Sequence, residues 1–183
     1  MSGTGFGASV PRVEDYRFIT GQGRYTDDIT LPGQAYAYVL RSSVAHGTLR
    51  RIDTSAASSA PGVIGVFTAA DLQADQVGNL PCAWHTTNVD GSARFDRPHP
   101  VLAGDRVRHV GEPIALIVAE TLMQARDAAE LIECDIDDLP AVATIERAIA
   151  PEAPCLWQQA PGNVAFHWRS GDLDATEREF AKA

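Results

Sequence analysis

A chain of 183 residues is long enough for one domain with a real core and an appended arm, and 45% hydrophobic with 21% charged residues is ordinary for a soluble globular protein. Its net charge of −9, with Lys182 the single lysine and no basic run, excludes phosphate-driven nucleic-acid binding and disfavours anionic membrane surfaces. No apolar stretch approaches the roughly 20 residues of a membrane span, and Met1–Val10 lacks the cationic and apolar regions of a signal peptide, so a cytoplasmic location is expected. Cys82, Cys134 and Cys155 are widely separated and form no CxxC pair. That pattern argues against a disulfide framework and against a four-cysteine metal site.

Residues 1–17 read as a flexible leader. Turn formers follow from Thr20 to Asp28, closed by Pro32-Gly33. Ala35–Leu40 is apolar throughout, the pattern of a strand buried on both faces. Leu49–Asp53 predicts a second strand, Thr54–Ala60 a short helix stopped by Pro61-Gly62, and Val63–Phe67 a third strand with Thr68 capping the next turn. Gln73–Arg108 carries three prolines, three glycines and little periodicity. It reads as a long irregular excursion of the kind that is usually functional or partner-bound. Ile114–Ala119 is the most apolar strand. It runs into Thr121-Leu122-Met123-Gln124, a capping-box pattern in which the Gln124 side chain reaches back to the cap. In the helix beyond, Leu122, Ala125, Ala129 and Ile132 form the inward stripe, and Arg126, Asp127 and Glu130 face away. Cys134–Asp137 predicts a returning strand, so strand, crossover helix and strand make a βαβ-like unit. Beyond Ile149 the prolines Pro151, Pro154 and Pro161 suggest an extended linker, and Asp172–Ala183 a helix that starts and is cut short.

Self-sufficient chemistry is hard to find. Gly3-Thr4-Gly5-Phe6-Gly7 follows no strand, and Gly21-Gln22-Gly23 lacks a third glycine, so neither can aim amides at a pyrophosphate. His46, His85, His99, His109 and His167 show no HxH, HxxxH or HExxH spacing. Asp135-Ile136-Asp137-Asp138 reads as a solvated strand edge that discourages stray pairing. Asp27-Asp28, and Glu112 with Asp105, fit turns and salt links. Cys82 with His85, and Asp90 nearby, is the residual case for a small cysteine–histidine hydrolase, which needs that region rigid and partly buried. The residues by themselves therefore describe an acidic α+β or α/β domain with a long loop and no complete active site.

Several stretches resemble the opening of the large subunits of the xanthine dehydrogenase, aldehyde oxidase and aerobic carbon monoxide dehydrogenase family. They are Arg12-Val13-Glu14-Asp15, Thr20–Asp28, Arg41-Ser42-Ser43-Val44-Ala45-His46, Pro61–Leu72, Val107-Arg108-His109-Val110-Gly111-Glu112-Pro113-Ile114-Ala115, Ala128–Glu133, Asp138–Val142 and Pro161–Phe166. They occur in the family's order and span nearly the whole chain.

The resemblance implies the α/β hammerhead domain, an α+β fold with a βαβ-like core unit, a long irregular loop and extended terminal arms. Residues 1–17 would be the leader, 18–145 the domain, and 146–183 a linker leading to a molybdopterin-binding domain that this sequence lacks. It implies a molybdenum–molybdopterin cofactor and a catalytic glutamate in later regions of the subunit, with iron–sulfur clusters and FAD on partner subunits or domains, in an oligomeric enzyme. No catalytic, cofactor or metal residue of this chain is implied. In relatives the segment aligned with Arg97–Leu102 lies by the funnel to the molybdenum, which makes Pro98, His99, Pro100, Val101 and Leu102 candidate funnel-wall residues. A stand-alone interaction module with this fold, without metal chemistry, is the alternative reading, beside the hydrolase.

Overall fold

The computed structural model describes residues 5–7 and 9–182, in two units, Met1–Gln34 and Ala35–Ala183. In the first, helix α1 (Asp15–Ile19) arises inside the stretch read as leader and in the residues just beyond it. The Phe18 ring stacks on Tyr25 with centroids 4.8 Å apart and planes 4° from parallel. A Cβ on Gly23 would collide with that Phe18 ring, so this glycine is needed for space. The Asp28 carboxylate accepts the Tyr25 N–H at 2.8 Å and closes the one-turn 3₁₀ helix Thr26–Asp28.

The second unit contains two small antiparallel sheets. Strands β1 (Tyr36–Arg41) and β3 (Val63–Phe67) flank β5 (Pro113–Ala119) in the first. Tyr36 lies opposite Ala119, Val39 opposite Leu116, and Val66 opposite Ile117. Strands β4 (Arg106–Val107) and β6 (Glu133–Asp138) flank β2 (Gly47–Asp53) in the second. There Leu49 pairs with Ile136 and Ile52 with Cys134. Short helices α2 (Ser55–Ser58) and α3 (Ala69–Ala74) follow β2 and β3, and α4 (Leu122–Glu130) follows β5.

The predicted strand–helix–strand order is present, but β5 and β6 lie in different sheets and neither pairs with the other. The crossover helix therefore links two sheets and does not return the chain to the first one. β1 is a flank strand of half-buried and exposed residues and is not buried on both faces, and among the described residues its ladder is with β5 alone. The inward stripe of α4 is Ala125, Ala128 and Ala129, continued by Ile132, whereas Leu122 is 38% exposed. Small side chains let the helix lie against β1 and β5. Ala57, Ala115, Ile117 and Ala119 complete that core, and Leu49, Ala103, Val107 and Ile114 form a second one. Ile52 and Cys134 touch both, joining the sheets.

The capping residues behave as their chemistry requires, with one change. Thr121 Oγ1 accepts the Gln124 N–H at 3.2 Å, but its hydroxyl also donates to Gln124 Oε1 at 2.9 Å, so the side chain does not return to the cap N–H. The Gln124 amide instead lies against Gly62, where any Cβ would collide with it and where φ is +76°. At the start of α3, Asp71 accepts both the N–H and the hydroxyl of Thr68.

The stretch predicted as an extended linker folds back on itself. After α5 (Ile145–Ala148), Asn163 donates to the carbonyls of Ala148 (2.9 Å) and Pro154 (3.1 Å) and accepts the Leu156 N–H (2.9 Å). Three prolines set the corners, and one asparagine side chain ties them together. The predicted final helix is present as α6 (Leu173–Phe180), capped by Asp172, which accepts the Ala175 N–H at 2.9 Å.

Candidate functional site

The irregular excursion and the folded-back tail meet. Val89 N–H donates to the His167 carbonyl, Phe95 N–H to the Ala165 carbonyl, and His167 N–H to Asn88 Oδ1, each at 2.8 Å. Trp84 sits edge-on to Phe166 (5.2 Å) and Trp168 (5.9 Å), and the Arg94 guanidinium lies 5.6 Å from the Trp84 ring. The excursion thus gains a backbone and aromatic zip with residues about 80 positions later.

Beside that zip lies a cleft of about 500 Å³. Pro98, Pro100, Val101 and Leu102 wall it, facing residues from α3 and the turn after it, with Asp105, Arg108 and Trp157 in the same lining. Four of the five candidate funnel residues are therefore brought together. His99 is not among the lining residues: its side chain is exposed and its carbonyl accepts the Leu80 N–H at 2.8 Å. Leu102 is only 5% exposed and belongs partly to the interior, whereas Val101 is accessible at 37%. The Arg108 guanidinium stacks on Trp157 at 3.9 Å and reaches Asp105 at 3.7 Å. This plate joins the strand β4 region to the folded-back tail. Sequence reasoning missed it, although Trp84, Trp157 and Trp168, all the tryptophans of the chain, fall in its irregular stretches. Unpacked segments are poor in aromatics, so that placement was the available signal.

Three of the stretches noted in the sequence converge at one corner. Arg41 Nη1 donates to the Gly111 carbonyl (2.8 Å), Ser42 N–H to the Glu112 carbonyl (2.9 Å), and Gly111 N–H to the Ser42 carbonyl (2.7 Å). Leu139 N–H donates to the His46 carbonyl at 2.8 Å, and His46 Nδ1 lies 2.8 Å from the Pro140 carbonyl. The buried Glu112 carboxylate accepts the Arg108 N–H. Glu112 is thus a structural acceptor, not an acid–base partner of Asp105.

The other candidates are dispersed. Cys82 is exposed, and its thiol donates to the Trp84 carbonyl at 3.4 Å. Hydrogen bonding with the Trp84 backbone, then with Arg94, lowers its pKa from the ordinary 9.0. Among the described residues no hydrogen bond joins Cys82 to His85, and Asp90 is occupied by Ser92. The nucleophile–base contact that a hydrolase requires is therefore missing from this arrangement. Asp135, Asp137 and Asp138 lie exposed on the outer strand β6, with Asp137 paired to Arg50 at 2.6 Å. Among the described residues no three His, Cys, Asp or Glu side chains are grouped to hold a metal ion. Gly3 and Thr4 fall outside the described residues. Gly21-Gln22-Gly23 follows helix α1 and no strand, and Gly23 is packed against the Phe18 ring.

A family model described as aldehyde oxidase and xanthine dehydrogenase, a/b hammerhead domain, matches residues 20–140. The carbon monoxide dehydrogenase large chain of Afipia carboxidovorans is 38% identical over 191 residues, covering 98% of this chain and 22% of the relative. The nicotine 6-hydroxylase large subunit of Paenarthrobacter nicotinovorans is 38% identical over 170 residues, covering 92% of this chain and 20% of the relative. Among solved structures, reconstituted CO dehydrogenase from Oligotropha carboxidovorans superposes with a TM-score of 0.75 at 34% identity, over 95% of this chain and 22% of that one. Quinoline 2-oxidoreductase from Pseudomonas putida 86 gives 0.68 at 39% identity, over 79% and 18%. The chain spans about a fifth of the length of the relatives it matches.

Proposed function

The chain belongs to the aldehyde oxidase and xanthine dehydrogenase family as its a/b hammerhead domain, and from that premise we propose that it is a non-catalytic wall and scaffold within the large subunit of a molybdenum hydroxylase. The complete enzyme would oxidise carbon monoxide or hydroxylate an aldehyde, a purine or another N-heterocycle. Its molybdenum–molybdopterin would be held by later regions of the subunit, with iron–sulfur and flavin subunits as partners in an oligomeric, cytoplasmic assembly. Three free thiols are in keeping with that compartment.

The residues of this chain do not fit the cofactor. Anchoring its phosphate needs backbone amides aimed outward from a glycine-rich turn, but here the Gly21 and Gln22 N–H groups donate to the Phe18 and Arg17 carbonyls and Gly23 is packed against the Phe18 ring. No chemical step is therefore assigned to this chain. The observation that carries the reading is the cleft in which Pro98, Pro100, Val101 and Leu102 converge. Rigid proline and apolar walls select by shape and by excluding water, as pocket linings do.

Expression of residues 1–183 alone, followed by metal analysis and assays with aldehyde, purine and carbon monoxide substrates, tests the division of labour. The expected product is a folded domain that holds no molybdopterin and turns over none of them. Cofactor retained through purification, or turnover by the domain alone, would contradict the proposal.

A further inference from the structure

The two faces of the first sheet differ. On one, Ala115, Ile117 and Ala119 of β5 are fully buried against α4, with Tyr38 and Val66 set beside Ile117 by the strand register. On the other, Leu116 and Val118 stay half-buried. There the same register puts Val39 and Phe67 beside Leu116, and Ala37 and Gly65 beside Val118. None of these six residues belongs to either core cluster. Ala37 is exposed, Phe67 is 39% exposed, and the Phe67 ring lies across Gly65, where a Cβ would meet it.

An antiparallel sheet with one face in water alternates apolar and polar side chains along its strands. At these six positions no side chain is polar, so the sheet carries an apolar surface on the side that α4 leaves open. Contiguous apolar patches on a folded chain mark interaction sites. A lipid surface is disfavoured by the net charge of −9. The fitting occupant is a protein surface that is itself uncharged and apolar, because a charge buried there would find no partner.

Area separates the remaining occupants. Three strands about 4.8 Å apart and about five residues long, at about 3.3 Å per residue, present roughly 240 Å². A stable complex of separate chains buries about 800 Å² on each partner. The patch is therefore too small to hold a second copy of this chain by itself. Tethering removes that requirement, since a covalently linked element meets the face at about millimolar effective concentration. The chain spans 22% of one relative and 20% of another, which leaves most of each unmatched. We propose that the face opposite α4 is packed, in the complete large subunit, against an uncharged apolar layer supplied by another part of the same polypeptide. The proposal rests on the reading of this chain as one domain of that subunit. It makes the sheet the middle of three layers, with α4 on one side and the second layer on the other.

Maleimide labelling of Ala37→Cys tests this, read by peptide mass spectrometry so that Cys82, Cys134 and Cys155 are followed separately. The introduced thiol should react freely in the 183-residue chain. In the complete enzyme, and in its large subunit stripped of the iron–sulfur and flavin subunits, it should react more slowly by about tenfold or more, since labelling then waits on local opening. Ala37→Arg should leave the urea midpoint of the 183-residue chain unchanged and lower that of the large subunit. Equal labelling in chain and enzyme would overturn the proposal. So would protection that appears in the 183-residue chain as its concentration is raised, which assigns the face to a second copy. Protection that needs the iron–sulfur or flavin subunits would overturn it in favour of a partner subunit. Failure of the earlier reading has a separate sign, turnover or molybdopterin in the 183-residue chain alone, which these rates do not measure.

Discussion

The sheet formed by β1, β5 and β3 with α4 on it, and the excursion zipped to the tail, are both ordered, but they are held by different means. The first is closed by backbone ladders and by alanines that bring a helix close to a strand, as at Ala115, Ala119, Ala125 and Ala128. The second depends on a few side chains: the Arg108–Trp157 stack, the Asn163 tie and the edge contacts of Trp84. Distributed packing unfolds as a unit, whereas a segment resting on point contacts opens locally. A wall around a cleft can afford that local freedom, and its shape can change without endangering the core.

Substitutions in each region separate the two cases. Ile117→Ala, at a fully buried position of β5, should lower global stability by about 2–5 kcal/mol by the usual cost of a core cavity, read by urea denaturation. A loss under about 1 kcal/mol would show that the first region is not the rigid one. Trp157→Ala removes the guanidinium stack and its contact with Phe95, and should cost about 2 kcal/mol, mostly local. Hydrogen exchange should quicken in 88–95 and 145–167 while β5 amides stay protected; uniform quickening would erase the contrast. Thr121→Ala, which deletes the α4 cap, should cost about 1 kcal/mol and appear in the global transition, since α4 belongs to the core.

The smallest effect is a pH dependence at α3, on the border of the cleft. The Thr68 N–H, then its hydroxyl, holds the Asp71 carboxyl below its ordinary 3.8. A depressed carboxylate contributes stability that is full above 3.8 and is lost as the pH falls through its lower folded value. Asp71→Asn should therefore remove that contribution from the neutral range, lowering the plateau slightly, and flatten the acid limb, the two curves converging at low pH. An acid limb identical to that of the unaltered chain would remove Asp71 from the account.

Elements fixed by local chemistry were legible in the residues. The strand of Ile114–Ala119, the Thr121 cap, the outward Arg126, Asp127 and Glu130, the acidic outer strand and the irregular character of Gln73–Arg108 all follow from patterns a few residues long. The division of β5 and β6 between two sheets was not, because periodicity names a strand without naming its neighbour. Tyr36–Leu40 misled for the same reason: a continuous apolar run serves a flank strand as well as a central one. The tail misled because prolines at Pro151, Pro154 and Pro161 signal corners and extension alike, and the choice was made by Asn163 and Trp157 reaching across sequence. Of the proposed site, the resemblance offered the segment 98–102 as a candidate, while the cleft beside it, the inward burial of Leu102 and the exposure of His99 follow only from the tertiary structure.

Steady-state kinetics of the complete enzyme carrying Val101→Trp would probe the proposed wall most directly. Val101 is accessible and lines the cleft without belonging to the core. A bulky side chain there should raise KM several-fold or reorder preference between small and large substrates, with kcat and molybdenum content retained. Unchanged KM and preference across substrates of different size, or a collapse of kcat with the cofactor still in place, would contradict the view that this domain shapes access and leaves the reaction to the rest of the subunit.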